Sequence, residues 1–255
     1  MERVKEGDTV HLKGKTASFF LKVKAGEIFS THLGNIDLNQ LLSCSYGETI
    51  FTHKGNSFLV LKPSLYEIIM YGINRKTQIV YPKDSGYITL KLGLRNGMKV
   101  LESGIGSGGM SIVMANALYP DGRIYAYERD RDFLENAIKN IDLAGFRHIV
   151  IPHHADLSEE VEERDFDAAF IDVREPWLYI SKLNSLLKKG AMVGFLVPTT
   201  NQVSEVIKEL KENLFVNLEV EEIMLRGYKP VPDRLRPEDK MIAHTGYLIF
   251  ARKGF

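Results

Sequence analysis

The sequence predicts an α/β fold: an open, mostly parallel sheet with helices on both faces, a C-terminal antiparallel hairpin at one edge, and a small β-rich N-terminal domain before it. Three observations predict this. Residues 1 to about 62 hold short alternating apolar runs cut by glycines. From about Lys99 strand-like and helix-like runs alternate, which is the signature of βα units. The chain ends on two strand-like runs with only a loop between them.

In order along the chain, Thr9–Leu12, Ser18–Val23 and Ser57–Leu61 read as strands of a small barrel or meander, bounded by Gly7, Gly14, Gly26, Gly34, Gly47 and Gly55. Ser64 and Glu67 form a capping box that opens a connecting helix whose Leu65, Ile68, Ile69 and Ile73 share one face. This divides the chain into a β-rich domain over 1–62, a helical linker over 63–76 and a larger domain over 77–255. In the larger domain Lys99–Glu102 and Arg123–Glu128 read as strands. Met110, Val113, Met114, Ala117 and Leu118 make one helical face, and Leu134, Ala137, Ile138 and Ile141 make the next. His148–Ile151 and Ala168–Asp172 are further strands. Pro176 suits a first helical turn and Gly190 a helix stop, with Tyr179, Leu183, Leu186 and Leu187 between them. Met192–Val197 is a fifth strand, Val203–Leu210 an amphipathic helix, and Leu218–Leu225 with Gly246–Ala251 form the closing pair.

The composition excludes several classes. Of 255 residues, 44% are hydrophobic and 26% charged, which excludes a disordered tail or a disulfide scaffold. No apolar run approaches the roughly 18–20 residues a membrane helix needs, and the charged first twenty residues hold no signal-peptide core. The single cysteine, Cys44, excludes an intrachain disulfide and fits a reducing, cytoplasmic compartment. Net charge is zero, so bulk charge does not draw the chain to nucleic acid. Residues 1–76 nevertheless carry ten Lys/Arg against seven Asp/Glu. This basic N-terminal region, with Lys13, Lys15, Lys22 and Lys24, is the candidate for a polyanion-binding surface.

The chemistry-bearing motif is Gly104-Ile105-Gly106-Ser107-Gly108-Gly109, set between a strand and a helix. Gly104, Gly106 and Gly109 satisfy G-x-G-x-x-G, in which glycines permit a tight turn and let a ligand lie against the backbone at a helix N-terminus. Glu128, 24 residues after Gly104, ends the second strand, where an acid grips ribose hydroxyls. A nicotinamide dinucleotide and the nucleoside of S-adenosylmethionine both fit this pattern. Glu102, two residues before the first glycine, favours the methyl donor by resemblance to methyltransferases of such a fold, which typically have an acid there; the resemblance implies that it helps hold the loop and the donor's ammonium group. Asp156, just past the third strand, is placed to meet the adenine amino group. His153-His154 beside Asp156 invites a metal reading, but there is no second ligand cluster at suitable spacing, so no metal is expected.

Leu101–Gly109 resembles motif I of class I methyltransferases, and further segments resemble one family among them, the tRNA adenine-58 N1-methyltransferases. Arg75–Asp84 is similar to the family's upstream motif, and Asp172-Val173-Arg174-Glu175-Pro176-Trp177 to its catalytic Asp–Pro–Trp segment. Arg236-Pro237 and His244-Thr245-Gly246-Tyr247-Leu248 are similar to its C-terminal signature. Ile105 departs from the family, which more often has threonine. The resemblance covers nearly the whole chain. It implies a Rossmann-like class I methyltransferase sheet and methyl transfer from S-adenosylmethionine to N1 of adenine 58, with 57 as a second target in some relatives. It also implies tRNA as partner and a homotetramer. Donor-site residues are then Gln78, Glu102, Gly104, Gly106, Ser107, Gly108, Gly109, Glu128, Asp156 and Asp172. The attacked ring nitrogen has an available lone pair, so no proton must leave first, and a carboxylate should face the developing positive charge. Asp172, at the end of the fourth strand, is that catalytic carboxylate, and Tyr81 is the stacking partner of the extruded base. His244 is expected to order a loop or touch substrate, since the reaction demands no general base. Two other readings remain: an NAD-dependent oxidoreductase, which leaves the Tyr-Pro-Lys-Asp and Asp–Pro–Trp segments unexplained, and a non-catalytic RNA-binding subunit, against which the intact loop, Glu128 and Asp172 argue.

Overall fold

The computed structural model describes residues 2–254, which fall into two compact bodies. The first runs to Asn74 and includes Lys139–His148; the second comprises Arg75–Ile138 and everything from Ile149 on. The body boundary at 74/75 falls inside the linker drawn from sequence. The segment 139–148, read from sequence as part of the larger domain, packs with the first body. Asn140 and Asn74 exchange amide–backbone hydrogen bonds at 2.9 and 2.8 Å, and Lys22 donates to the Asp142 carboxylate at 2.7 Å.

Strands Thr9–Lys13, Ser18–Lys22, Thr49–Phe51 and Ser57–Leu61 make a four-stranded antiparallel sheet in the first body, beside a two-stranded Ile28–Thr31/Gly34–Asp37 hairpin. Alternation places Val10, Leu12, Leu21, Phe58 and Val60 inward as its core. The Ser64–Glu67 capping box forms as the sequence predicts. The helix it opens then widens over Ile68–Gly72, where Ile73 donates to the Ile68 carbonyl five residues back.

The second body is built on seven strands: β1 (Lys99–Ser103), β2 (Arg123–Glu128), β3 (Val150–His154), β4 (Phe166–Ile171), β5 (Leu187–Val197), β6 (Phe215–Glu221) and β7 (Tyr247–Lys253). Their spatial order is β6-β7-β5-β4-β1-β2-β3; β1 to β5 are parallel, and β7 runs antiparallel between β5 and β6. Five helices accompany them: α1 (Pro82–Lys91), α2 (Gly109–Leu118), α3 (Arg131–Leu143), α4 (Ile180–Leu186) and α5 (Thr200–Glu212). The central strands read as near-continuous apolar runs because both faces are covered, and Leu101, Phe166, Phe170, Phe195 and Phe250 are fully buried. Removing one such ring costs about 3–5 kcal/mol.

Several sequence-based boundaries move. Gly190 does not stop a helix: α4 ends at Leu186, and Leu187 and Gly190 lie in β5, which pairs with β4 from Phe166 onward. The third strand starts later and runs through His153 and His154, because its pairing with β2 extends to Glu128↔His154. The sixth strand is shifted toward the N-terminus, since Phe215 already pairs with Lys253. No helix among the described residues is long and apolar enough to cross a membrane.

Candidate methyl-donor and base site

The strand order reverses between β1 and β4, and such a switch point leaves a crevice at the carboxyl ends of the two strands. Ser103 and Ile171 are register partners there, and the Asp172 amide donates to the Ser103 carbonyl at 2.9 Å. The chain beyond each strand therefore opens onto one cleft of about 510 Å³. Thr77, Gln78, Gly104, Gly106, Glu128, Asp156 and Asp172 line it, together with Arg129, Phe133, Leu178 and Tyr179.

The glycine loop is shaped by its neighbours. At Gly104 (φ +87°) an added Cβ would lie 2.0 Å from the Asp172 carbonyl oxygen, so only glycine lets the two strand ends meet. At Gly106 (φ +52°) it would meet the Thr77 hydroxyl at 2.8 Å. Ser107, Gly108 and Gly109 do not line the cleft. Ser107 is buried, and its hydroxyl accepts from the Lys76 and Thr77 amides at 3.1 and 3.0 Å. It thereby pins the upstream strip, including Gln78, to the loop. Gly108 is the left-handed residue before α2, which begins at Gly109. Ile105 is buried, and its carbonyl accepts from Gly108.

Three carboxylates meet at this edge in different environments. Glu128 accepts backbone hydrogen bonds from Gly106 (3.1 Å) and Asp130 (3.0 Å), one on each oxygen. Each oxygen keeps a lone pair for a further donor. Glu102 does not line the cleft. It is fully buried in β1, where one oxygen accepts from the Ser111 hydroxyl at 2.6 Å and the other has no partner among the described residues. Burial pushes its carboxyl up to about 8, against the Ser111 hydrogen bond and with the help of the Asp172 and Glu128 charges. Glu102 thus sits inside the sheet against Ser111 of α2 rather than on the cleft wall. Asp172 keeps some exposure to the cleft, yet desolvation, followed by the charge of Glu128, raises its carboxyl to about 7.

Asp156 receives the Tyr179 hydroxyl at 3.0 and 3.1 Å and the Ser158 amide at 2.8 Å. Burial works to raise its carboxyl, but the hydrogen bonds from Ser158 and Tyr179 and the charge of Arg129 outweigh it and hold it low. Tyr81 is the residue before α1 and is not among the residues lining the cleft. His153 and His154 point to opposite faces of β3. His153 stacks on Tyr127 at 4.5 Å, and a ring nitrogen of His154 meets the Arg129 carbonyl at 3.2 Å. Among the described residues no group of three His, Cys, Asp or Glu side chains is placed to hold a metal. Tyr179 was invisible as a site residue in the sequence, where it reads as part of an apolar helix face, whereas Ser107, expected at the donor, instead holds the upstream strip.

Residues 57–240 match a family model described as the tRNA methyltransferase complex GCD14 subunit. The chain belongs to this family. It is 28% identical to a tRNA (adenine(57)-N(1)/adenine(58)-N(1))-methyltransferase TrmI from Methanocaldococcus jannaschii, with 91% of this chain and 90% of that one aligned. It is 29% identical to the tRNA (adenine(58)-N(1))-methyltransferase TrmI of Thermus thermophilus over 94% of each. Among solved structures, TrmI of Aquifex aeolicus, described as a tRNA (m1A58) methyltransferase, superposes with a TM-score of 0.78 at 40% identity over 98% of both chains. A protein described as a SAM-dependent O-methyltransferase from Thermotoga maritima gives 0.85 at 42% identity over 100% of this chain and 96% of that one.

Proposed function

We propose that the protein transfers a methyl group from S-adenosylmethionine to N1 of adenine 58 in the T-loop of tRNA. The observation that carries this is the meeting of the glycine loop, Glu128 and Asp172 at one cleft in a chain of this family. The cleft fits the donor: Glu128 keeps two acceptor positions for ribose hydroxyls after serving Gly106 and Asp130, and Gly104 and Gly106 leave bare backbone facing the cavity. When bound, the donor supplies an electrophilic methyl on a sulfonium.

The remaining work falls to this chain's own side chains. Glu128 fixes the ribose, Gln78 covers the donor site from the strip that Ser107 pins, and Asp156 is the acceptor for the adenine amino group of the donor. Asp172 in its ionised form accepts a hydrogen bond from the target adenine's exocyclic amine and stabilises the positive charge that grows on the ring. Its pocket is largely desolvated, so that interaction is stronger than in water. Tyr81 stacks on the extruded base; its place three residues beyond Gln78 supports this. The reading includes a cytoplasmic homotetramer, the compartment resting on the single free cysteine, Cys44, and the assembly on the family resemblance alone.

The test is incubation with labelled S-adenosylmethionine and unmodified tRNA, followed by reverse transcription. A methyl on N1 blocks the Watson–Crick edge, so extension should stop one nucleotide before the target adenine. Label incorporation without a stop would put the methyl on an atom that leaves base pairing intact and so exclude N1, and no incorporation at all would refute the reading.

A further inference from the structure

The Tyr-Pro-Lys-Asp and His-Thr-Gly segments lie about 160 residues apart, and the cleft chemistry uses neither Lys83, Asp84 nor Thr245. The structure brings these three together. The Lys83 ammonium donates to both Asp84 oxygens at 2.8 and 3.0 Å, to the Thr245 hydroxyl at 2.7 Å and to the Ile223 carbonyl at 2.6 Å. The Thr245 hydroxyl in turn donates to Asp84 at 2.8 Å, closing a ring of three side chains. The Lys83 and Asp84 side chains are only 8% and 2% exposed. Every Lys83 proton has an acceptor, which is the condition under which a buried ion pair is tolerated.

The partners on the far side are the two ends of one loop. Ile223 follows β6 and Thr245 precedes β7, and beside them His244 bridges the Glu222 carboxylate (2.7 Å) and the Pro198 carbonyl (3.0 Å) at the carboxyl end of β5. Both ends are thus fastened, one pair to the first turn of α1 and the other to the sheet edge that carries the cleft. Between them the loop exposes Met224, Leu225, Leu235, Met241 and Ile242. The first turn of α1 begins four residues after Gln78, which lines the cleft.

We propose that Lys83, with Asp84 and Thr245, is a positioning residue for methyl transfer: the buried ring sets the β6–β7 loop against the Gln78–Tyr81 strip, so that the target base is received in register with the donor. The proposal rests on the tRNA reading above. A loop bearing on the base affects alignment, and misplacement by an ångström costs on the order of a hundredfold in rate. Donor affinity, which depends on Glu128 and the glycine loop, is left intact.

Two sets of variants test it. Thr245→Val removes the hydroxyl and Thr245→Ser keeps it. Lys83→Met with Asp84→Leu replaces the ion pair by apolar groups of similar size, a change that often preserves stability. Expected for Thr245→Val and the double variant are near-normal melting temperature and S-adenosylmethionine affinity within about twofold by calorimetry. Single-turnover methylation of saturating tRNA should fall roughly 10- to 100-fold, with Thr245→Ser restoring it. Wild-type turnover in folded Thr245→Val would overturn the proposal, as would a loss of donor binding that matches the loss of rate. If the double variant does not fold, the threonine pair decides alone. Failure of the tRNA reading itself appears separately, as absence of tRNA methylation by the wild-type protein.

Discussion

Asp172 should give methyl transfer a pH dependence that a simple exposed aspartate would not. Its carboxyl stands at about 7 because the cleft desolvates it and, secondarily, because Glu128 is charged nearby. Only the ionised form stabilises a cationic base. With a midpoint near 7, roughly a tenth of the free enzyme is competent at pH 6 and roughly nine-tenths at pH 8. The value of kcat/KM for the donor, which reports the free enzyme, should therefore rise about tenfold across that window and then level off. Asp172→Asn should retain tRNA binding, since that affinity rests on phosphate contacts, but lose most turnover, with its residual rate flat with pH. Glu128→Gln should move the midpoint downward in whatever activity survives, because it removes one of the two causes of the shift. The assay is single-turnover incorporation of labelled methyl at five or six pH values between 5.5 and 9. A flat profile from pH 6 to 8, or a rise of the same size in Asp172→Asn, would refute the assignment of the titration to this carboxyl.

Glu128→Ala should weaken S-adenosylmethionine by about 1.5–3 kcal/mol, the scale of hydrogen bonds to a charged group, and unchanged affinity by calorimetry would remove Glu128 from the site. Glu102→Gln should change how stability depends on pH. The folded carboxyl at about 8 holds a proton that the unfolded chain releases near 4.5, so the wild type loses stability as pH rises through that window, by at most about 1.4 kcal/mol per unit. Urea titrations at pH 5, 6, 7 and 8 should show that slope reduced in Glu102→Gln; parallel slopes would mean Glu102 is ionised in the fold. tRNA affinity should fall steeply with salt, with Lys13 and Lys15 contributing to the slope. Lys22 and Lys24 should contribute little, because Asp142 and Glu27 already pair with them. Equal flattening on removing either pair of lysines would overturn that division.

The fold was legible wherever one period governed a run of residues. The Arg123–Glu128 strand and the capping box at Ser64 emerge with the expected bounds, because local pattern and tertiary role agree there. The pattern failed at Gly190 for a physical reason: a glycine at φ +76° stops helices, but it equally serves a bend within a long strand, and the β4 pairing decided between them. In the site, spacing set Gly104, Glu128 and Asp156 at strand ends and the family resemblance singled out Asp172, and all four line the cleft. Ser107 was readable as part of the loop but not as the clamp on Thr77, and the Lys83–Asp84–Thr245 ring joins positions that no local period relates.

The three acids at the switch point show how one sheet edge makes three different groups from the same functional unit. Glu102 lies inside the sheet, where its charge is opposed by burial and by two neighbouring carboxylates, so near neutral pH it is a neutral hydrogen-bonding group. Glu128 sits at the strand end, where the loop amides of Gly106 and Asp130 turn toward it, and its orientation is fixed without using up its acceptors. Asp172 lies between these extremes, desolvated but open to the cleft, with no amide donors on its carboxylate among the described residues. A carboxylate tied to amides is a good anchor for neutral hydroxyls, and a carboxylate with nothing bound responds most strongly when a positive charge appears beside it. The difference follows from where each strand stops. β1 carries its acid two residues before its turn, β2 carries its acid as its last residue, and β4 releases its acid one residue beyond its end. Moving Glu102 or Glu128 by one position along its strand would turn it to the opposite face of the sheet.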